Sequence, residues 1–126
     1  MYVIIYLGDI MEFKVGDLCK HFKGETLVEK NISEIIAVNV KYTGERLDDL
    51  SGLVVYRALF QEDKFFTREY EDLVKLLTEE EKEIYHQDIR VQKLTDEEIA
   101  LLSDPNFIDE KTSYIRNKYE KKLLNK

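Results

Sequence analysis

Leu53-Val54-Val55-Tyr56-Arg57-Ala58-Leu59-Phe60 is apolar almost throughout, and its one charge is Arg57. A short apolar run bounded by turn residues reads as a strand, and near-continuous hydrophobicity predicts a central strand buried on both faces. Working outward, Gln61-Glu62-Asp63-Lys64 makes a hairpin loop of common length into a second strand, Phe65-Phe66-Thr67-Arg68. Upstream, Gly16-Asp17 turns the chain into a strand over 18–22, Leu18-Cys19-Lys20-His21-Phe22, which leaves through Lys23-Gly24-Glu25. Ile35 to Tyr42 is a further strand closed by Thr43-Gly44-Glu45, and Arg46 to Gly52 is an acidic loop. Ile89-Arg90-Val91-Gln92-Lys93-Leu94 alternates with period two and is placed to close the sheet.

Short strands broken by turns, with no repeat and no low-complexity linker, predict a mainly β chain built as a small barrel over 13–94. Residues 95–126 form a C-terminal α-helical extension of the same single domain. Thr78-Glu79-Glu80-Glu81 and Thr95-Asp96-Glu97-Glu98 read as capping boxes, in which the threonine oxygen accepts an orphan amide proton and the glutamate three residues on reaches back. Acidic first turns suit the positive end of the helix dipole. The second of these helices should stop near Ser103, because Asp104-Pro105 disfavours continuation. A last helix from about Lys111 carries Ile115, Tyr119 and Leu123 on one stripe, the expected docking face.

With 126 residues, 44% of them hydrophobic, the chain can bury one core. Charged residues make up 36%, against about 25% in an average domain, and no apolar run approaches the roughly 18 residues that would cross a bilayer. One cysteine excludes an internal disulfide, so a cytoplasmic location is expected. Residues 2–7 are apolar, but no basic residue precedes them and Gly8-Asp9 stands where a small-residue cleavage site would be, which argues against a signal peptide. Residues 1–12 then read either as an added N-terminal strand or as a leader ahead of a true start at Met11. Net charge is −7, unevenly spread: residues 78–110 hold eleven acids and three bases, whereas 111–126 hold six bases and one acid. The expected use of both blocks is packing of the basic helix beside the acidic segment. An acidic pI near 4.9 argues against nucleic acid as a partner.

Motifs for chemistry are sparse. Cys19 and His21 fall on one face of their strand, but with His86 the only other histidine they do not complete a four-ligand zinc set, and no metal is expected. A Cys/His nucleophile pair has no third orienting residue and no oxyanion turn beside it. Five scattered glycines form no phosphate loop, and no cofactor is expected. Acidic pairs such as Asp48-Asp49 and Glu62-Asp63 lie in loops, where carboxylates stay solvated.

A set of cationic and aromatic residues at strand ends does stand out. His21, Tyr56, Arg57 and Arg68 are the candidate ligand-binding residues, with Lys20, Lys23 and Tyr70 as secondary candidates. Arg57 interrupts an apolar strand, where a charge is tolerated only if it is paired or reaches the rim. Its alternatives are a structural ion pair with Glu69 or Glu71, or an anion site shared with Arg68, whose guanidinium fork suits carboxylate and phosphate.

The stretches His21-Phe22-Lys23-Gly24, Ile36-Ala37, Thr43-Gly44-Glu45, Val54-Val55-Tyr56-Arg57 and Arg68, in that order, resemble the bacterial family called domain of unknown function 1653 over roughly residues 13–94. The resemblance implies a compact SH3-like barrel and no particular activity. The chain departs from the family's pattern at Cys19-Lys20, where a tyrosine and an arginine usually precede the histidine, and at Glu69, where a proline follows the arginine. Loops around 29–33 and 46–52 are longer, and the terminal helices lie outside the likeness.

The expected function is a non-enzymatic binding module that recognises an acidic peptide, a partner protein or a small anion. The alternative is an enzyme, or an accessory subunit of one, acting on a nucleotide-like metabolite. A catalyst needs a group of tuned proton affinity beside a closed pocket, whereas a recognition surface needs exposed donors and an aromatic shelf.

Overall fold

The computed structural model describes residues 13–40, 52–61 and 64–124. The expectations for residues 1–12 and for the turn at 43–45 fall outside them. Five strands, β1 (Leu18–His21), β2 (Ile32–Val40), β3 (Leu53–Ala58), β4 (Phe65–Glu69) and β5 (Val91–Lys93), form one antiparallel sheet in the order β4-β3-β2-β1-β5. Among the described residues four helices accompany it: α1 (Tyr70–Leu73), α2 (Glu79–Tyr85), α3 (Asp96–Leu101) and α4 (Pro105–Leu124). The chain is therefore mixed α/β rather than mainly β. Among the described residues no ladder joins the edge strands β4 and β5, so the sheet is open and not the closed barrel expected. Also among the described residues, no helix is long and apolar enough to cross a membrane.

The turn into β1 forms because Gly16 takes φ +94°, which lets the Asp17 amide reach Lys14 O at 3.0 Å while the Asp17 carboxylate accepts the Lys14 amide at 2.8 Å. Register then sorts side chains. Cys19 lies opposite Ser33 and Lys93, and His21 opposite Val91. Ile35 lies opposite Tyr56, Tyr56 opposite Phe66, and Val54 opposite Arg68. Directly opposed residues share a face, so one face carries Cys19, Ile35, Val54, Tyr56 and Val91, sealed by Phe13 and by Leu73 of α1. The other face carries Ile32 and Leu94, covered by Phe107 of α4 and flanked by Leu18, Leu59 and Leu102. β3 alternates between buried and half-buried positions, so only one of its faces is fully buried, and Arg57 belongs to the other.

Both capping boxes form. Thr78 Oγ1 accepts the Glu81 amide at 3.1 Å and Glu81 Oε1 accepts the Thr78 amide at 2.9 Å; Thr95 and Glu98 do the same at 3.2 and 2.9 Å. Glu98 has a second task, because its other oxygen accepts from Lys20 Nζ at 2.6 Å and ties α3 to β1. Burial pushes the Glu98 carboxyl up, but Lys20 and the Thr95 donors outweigh it and hold the carboxyl below its usual range. Lys20 is thereby accounted for as a structural partner.

The last helix begins at Pro105, not at Lys111. Proline at the first helical position lacks an amide that would have no partner there, and the Asp104 carboxylate accepts the Asn106 amide at 2.9 Å. Its docking face is also not the expected stripe. Phe107 and Lys111 are buried, whereas Tyr119 and Leu123 are 63% and 50% exposed and Ile115 is half-buried. Among the described residues no ion pair joins 111–124 to the acidic 78–110, so the basic helix is not neutralised there. Instead the Lys111 ammonium donates to Val28 O at 2.6 Å and to Lys30 O. Lys30 in turn donates to Phe22 O and Tyr85 O, both at 2.8 Å. Burial pushes each of the two lysines down to about 8.

Docking by the first turns of α4 has a measurable consequence. Phe107→Ala is expected to lower urea-unfolding stability by about 3–5 kcal/mol, whereas Tyr119→Ala and Leu123→Ala stay within about 0.5 kcal/mol of wild type. Equal losses at all three would return the docking face to the 115/119/123 stripe.

Candidate functional site

β1 ends at His21, whose neighbour across the sheet is Val91 and whose ring lies 5.0 Å from that of Phe22. Beside it opens a small cleft of about 30 Å³ lined by His21, Tyr56, Arg68, Asp72, Leu73, Arg90 and Val91. Tyr56 is buried there, and its ring stacks on Phe66 at 5.3 Å with 21° between the planes. Arg68 comes from edge strand β4, on the face that carries Tyr56. Arg90 sits just before β5, with its guanidinium carbon 5.8 Å from the centroid of Phe22. Asp72 comes from α1.

Electrostatics in the cleft are one-sided. Burial pushes His21 down to about 4, and the positive charges of Arg90, Lys23, Arg68 and Lys30 push the same way. At neutral pH the ring is uncharged. The Lys23 amide donates to Nδ1 at 3.4 Å, which leaves the ring proton on Nε2 as a donor. Among the described residues neither Arg68 nor Arg90 has an ion pair within 4.0 Å, although the Asp72 carboxylate lines the same cleft. Two guanidinium groups and an imidazole N–H are thus gathered around one small opening, with one carboxylate beside them.

Three of the four leading candidates, His21, Tyr56 and Arg68, come together here. Arg57 does not. It shares a face with Glu34, Val55 and Thr67, opposite to the face of Tyr56 and Arg68. Its partner is Glu34, at 2.5 Å between Nη2 and Oε1, and not Glu69 or Glu71. Of the secondary candidates, Lys20 is bound to Glu98, Lys23 is exposed and reaches the site through its backbone, and Tyr70 packs edge-on against Phe13 at 6.1 Å. Arg90 and Asp72 were not singled out in the sequence; only the β1–β5 pairing brings Arg90 to His21, and nothing local in the sequence signals that pairing.

Cys19, on the same face as His21, is 1% exposed. Burial and the nearby Asp17 carboxylate push its thiol up to about 12, against a smaller opposing effect of Lys93, so no thiolate forms at neutral pH. Among the described residues no group of three or more His, Cys, Asp or Glu side chains could hold a metal ion.

Two outcomes test this geometry. Arg57→Ala removes an ion pair whose side chains are 42% and 30% exposed, so the cost in urea unfolding should be below about 1 kcal/mol; a loss of 3–5 kcal/mol would indicate a buried pair. For His21 the folded value, about 4, lies below the unfolded one, so the unfolded chain binds more protons between them. Its contribution is complete above about pH 6.5 and is lost as the pH falls toward 4, by about 3 kcal/mol at most. Subtracting the pH profile of His21→Gln from that of wild type should expose this loss, and identical profiles would contradict it.

Compared with family models, curated proteins and solved structures, the chain has no match.

Proposed function

We propose that this chain is a cytoplasmic, non-enzymatic binding module of SH3-like type that recognises a carboxylate, presented by an acidic peptide or a small anion, in the cleft between His21, Arg68 and Arg90. The single observation that carries the reading is the pair of arginines, without an ion pair among the described residues, beside a histidine that their charge helps keep neutral. Guanidinium groups bind carboxylates through paired N–H donors. An opening of about 30 Å³ suits one carboxylate and is too small for a nucleotide.

Fold supports the same reading. A meander in which β1 lies between β2 and the last strand, β5, has the strand order of an SH3-like barrel. Catalysis through the histidine of the cleft or the neighbouring thiol is disfavoured. With His21 near 4 and Cys19 near 12, neither offers a proton affinity matched to neutral pH.

Titration with a pentaglutamate peptide at pH 7 and low salt tests the proposal. Arg68→Ala and Arg90→Ala should each weaken binding about tenfold or more, Arg57→Ala should leave it unchanged, and the His21 ring resonances should shift on binding. Wild-type affinity in both Arg68→Ala and Arg90→Ala would refute it.

A further inference from the structure

A second cavity lies on the other side of the molecule, between α4, the start of β2 and the β3–β4 hairpin, and has a volume of about 230 Å³. Among the described residues five lysines line it, Lys30, Lys64, Lys111, Lys118 and Lys122, of which Lys30 directs its ammonium to Phe22 O and Tyr85 O. Among the described residues one acid, Glu29, also lines it, and its carboxylate already accepts the Glu25 amide at 3.2 Å. Within the described residues none of the five lysines has an ion pair within 4.0 Å.

On α4 the spacing of Lys111, Lys118 and Lys122 places them along one side of the helix, with Tyr114 between the first two. Tyr114 has an ammonium over its ring from each direction, Lys111 and Lys118, both at 5.9 Å. Lys111, 3% exposed, is fixed by Val28 O and Lys30 O, so the inner end of the stripe is rigid. Lys122, in the last turn, suits the helix dipole by itself. That account does not extend to Lys118, four residues earlier and like-charged, or to Lys64, which comes from the hairpin. Their common feature is the cavity they face.

We propose that this cavity is an anion site for a small polyphosphate, separate from the arginine cleft. Several ammonium point charges spread around a cavity of about 230 Å³ suit phosphate oxygens distributed over a multiply charged ligand, whereas the arginine cleft, about 30 Å³, has room for one anionic group. The volume lies below the roughly 300–1,000 Å³ of pockets for drug-sized ligands, which favours a compact occupant. A long nucleic-acid strand is disfavoured, because it would extend beyond the cavity over a chain of net charge −7.

Isothermal titration with sodium tripolyphosphate at pH 7 and low salt is the test. Wild type should bind, with affinity falling as salt rises. The double variant Lys118→Ala/Lys122→Ala, which changes two exposed side chains, should bind at least tenfold more weakly at an unchanged melting temperature. Arg68→Ala should bind tripolyphosphate as wild type does, so that failure here and failure of the arginine cleft remain distinguishable. Absence of binding at millimolar ligand, equal affinity in the lysine double variant, or tighter binding of a 20-nucleotide single-stranded DNA than of tripolyphosphate would each overturn the proposal.

Discussion

Two buried ammonium groups hold the described molecule together at its least regular point. The connection between β1 and β2 has no strand partner over most of its length, so its carbonyls need donors from elsewhere. Lys30 supplies them to Phe22 and to Tyr85 at the end of α2; Lys111, from α4, supplies them to Val28 and to Lys30 itself. Each side chain loses most of its hydration, which the fall of both lysines to about 8 reflects, and each recovers charge-assisted hydrogen bonds in return. Gly24 closes the same connection at φ +119°, where an added Cβ would lie 3.0 Å from backbone and side-chain carbons of Glu29. Helix α4, the connection and α2 are therefore positioned by a short chain of contacts, and the lysine-lined cavity is a product of it.

Features that depend on neighbours in sequence were legible, and those that depend on distant pairing were not. Both capping boxes could be read from threonine and glutamate spacing, because the hydrogen bonds involved span three residues. Strands near 18, 35, 53 and 65 could be read from composition, although β2 begins at Ile32 because Ile32 and Ser33 pair with β1. Asp104-Pro105 looked like a stop and is equally a start, since proline is favoured at the first helical position. The apolar stripe at 115, 119 and 123 was real as a pattern, but α4 meets the sheet only near its beginning.

Arg57 teaches a similar lesson about the site. Reading β3 as buried on both faces obscured its period of two, and the period alone would have placed Arg57 opposite Tyr56. Arg90 required knowing that β5 pairs with β1, a contact between segments about seventy residues apart. Net charge was equally uninformative about location. An acidic total coexists with two locally cationic openings because the acids gather in the first turns of α2 and α3, where helix amides stabilise them.

Cys19 occupies the middle of β1, with β2 on one side and β5 on the other, and its thiol is both shielded and held in the neutral form. A thiol in that position is inert toward alkylating and oxidising reagents while β1 stays paired, and becomes an ordinary cysteine once β1 separates from its neighbours. The chain thus carries a built-in clock for sheet opening. The rate at which a thiol reagent modifies it reports how often the centre of the fold comes apart, with no probe added to the sequence.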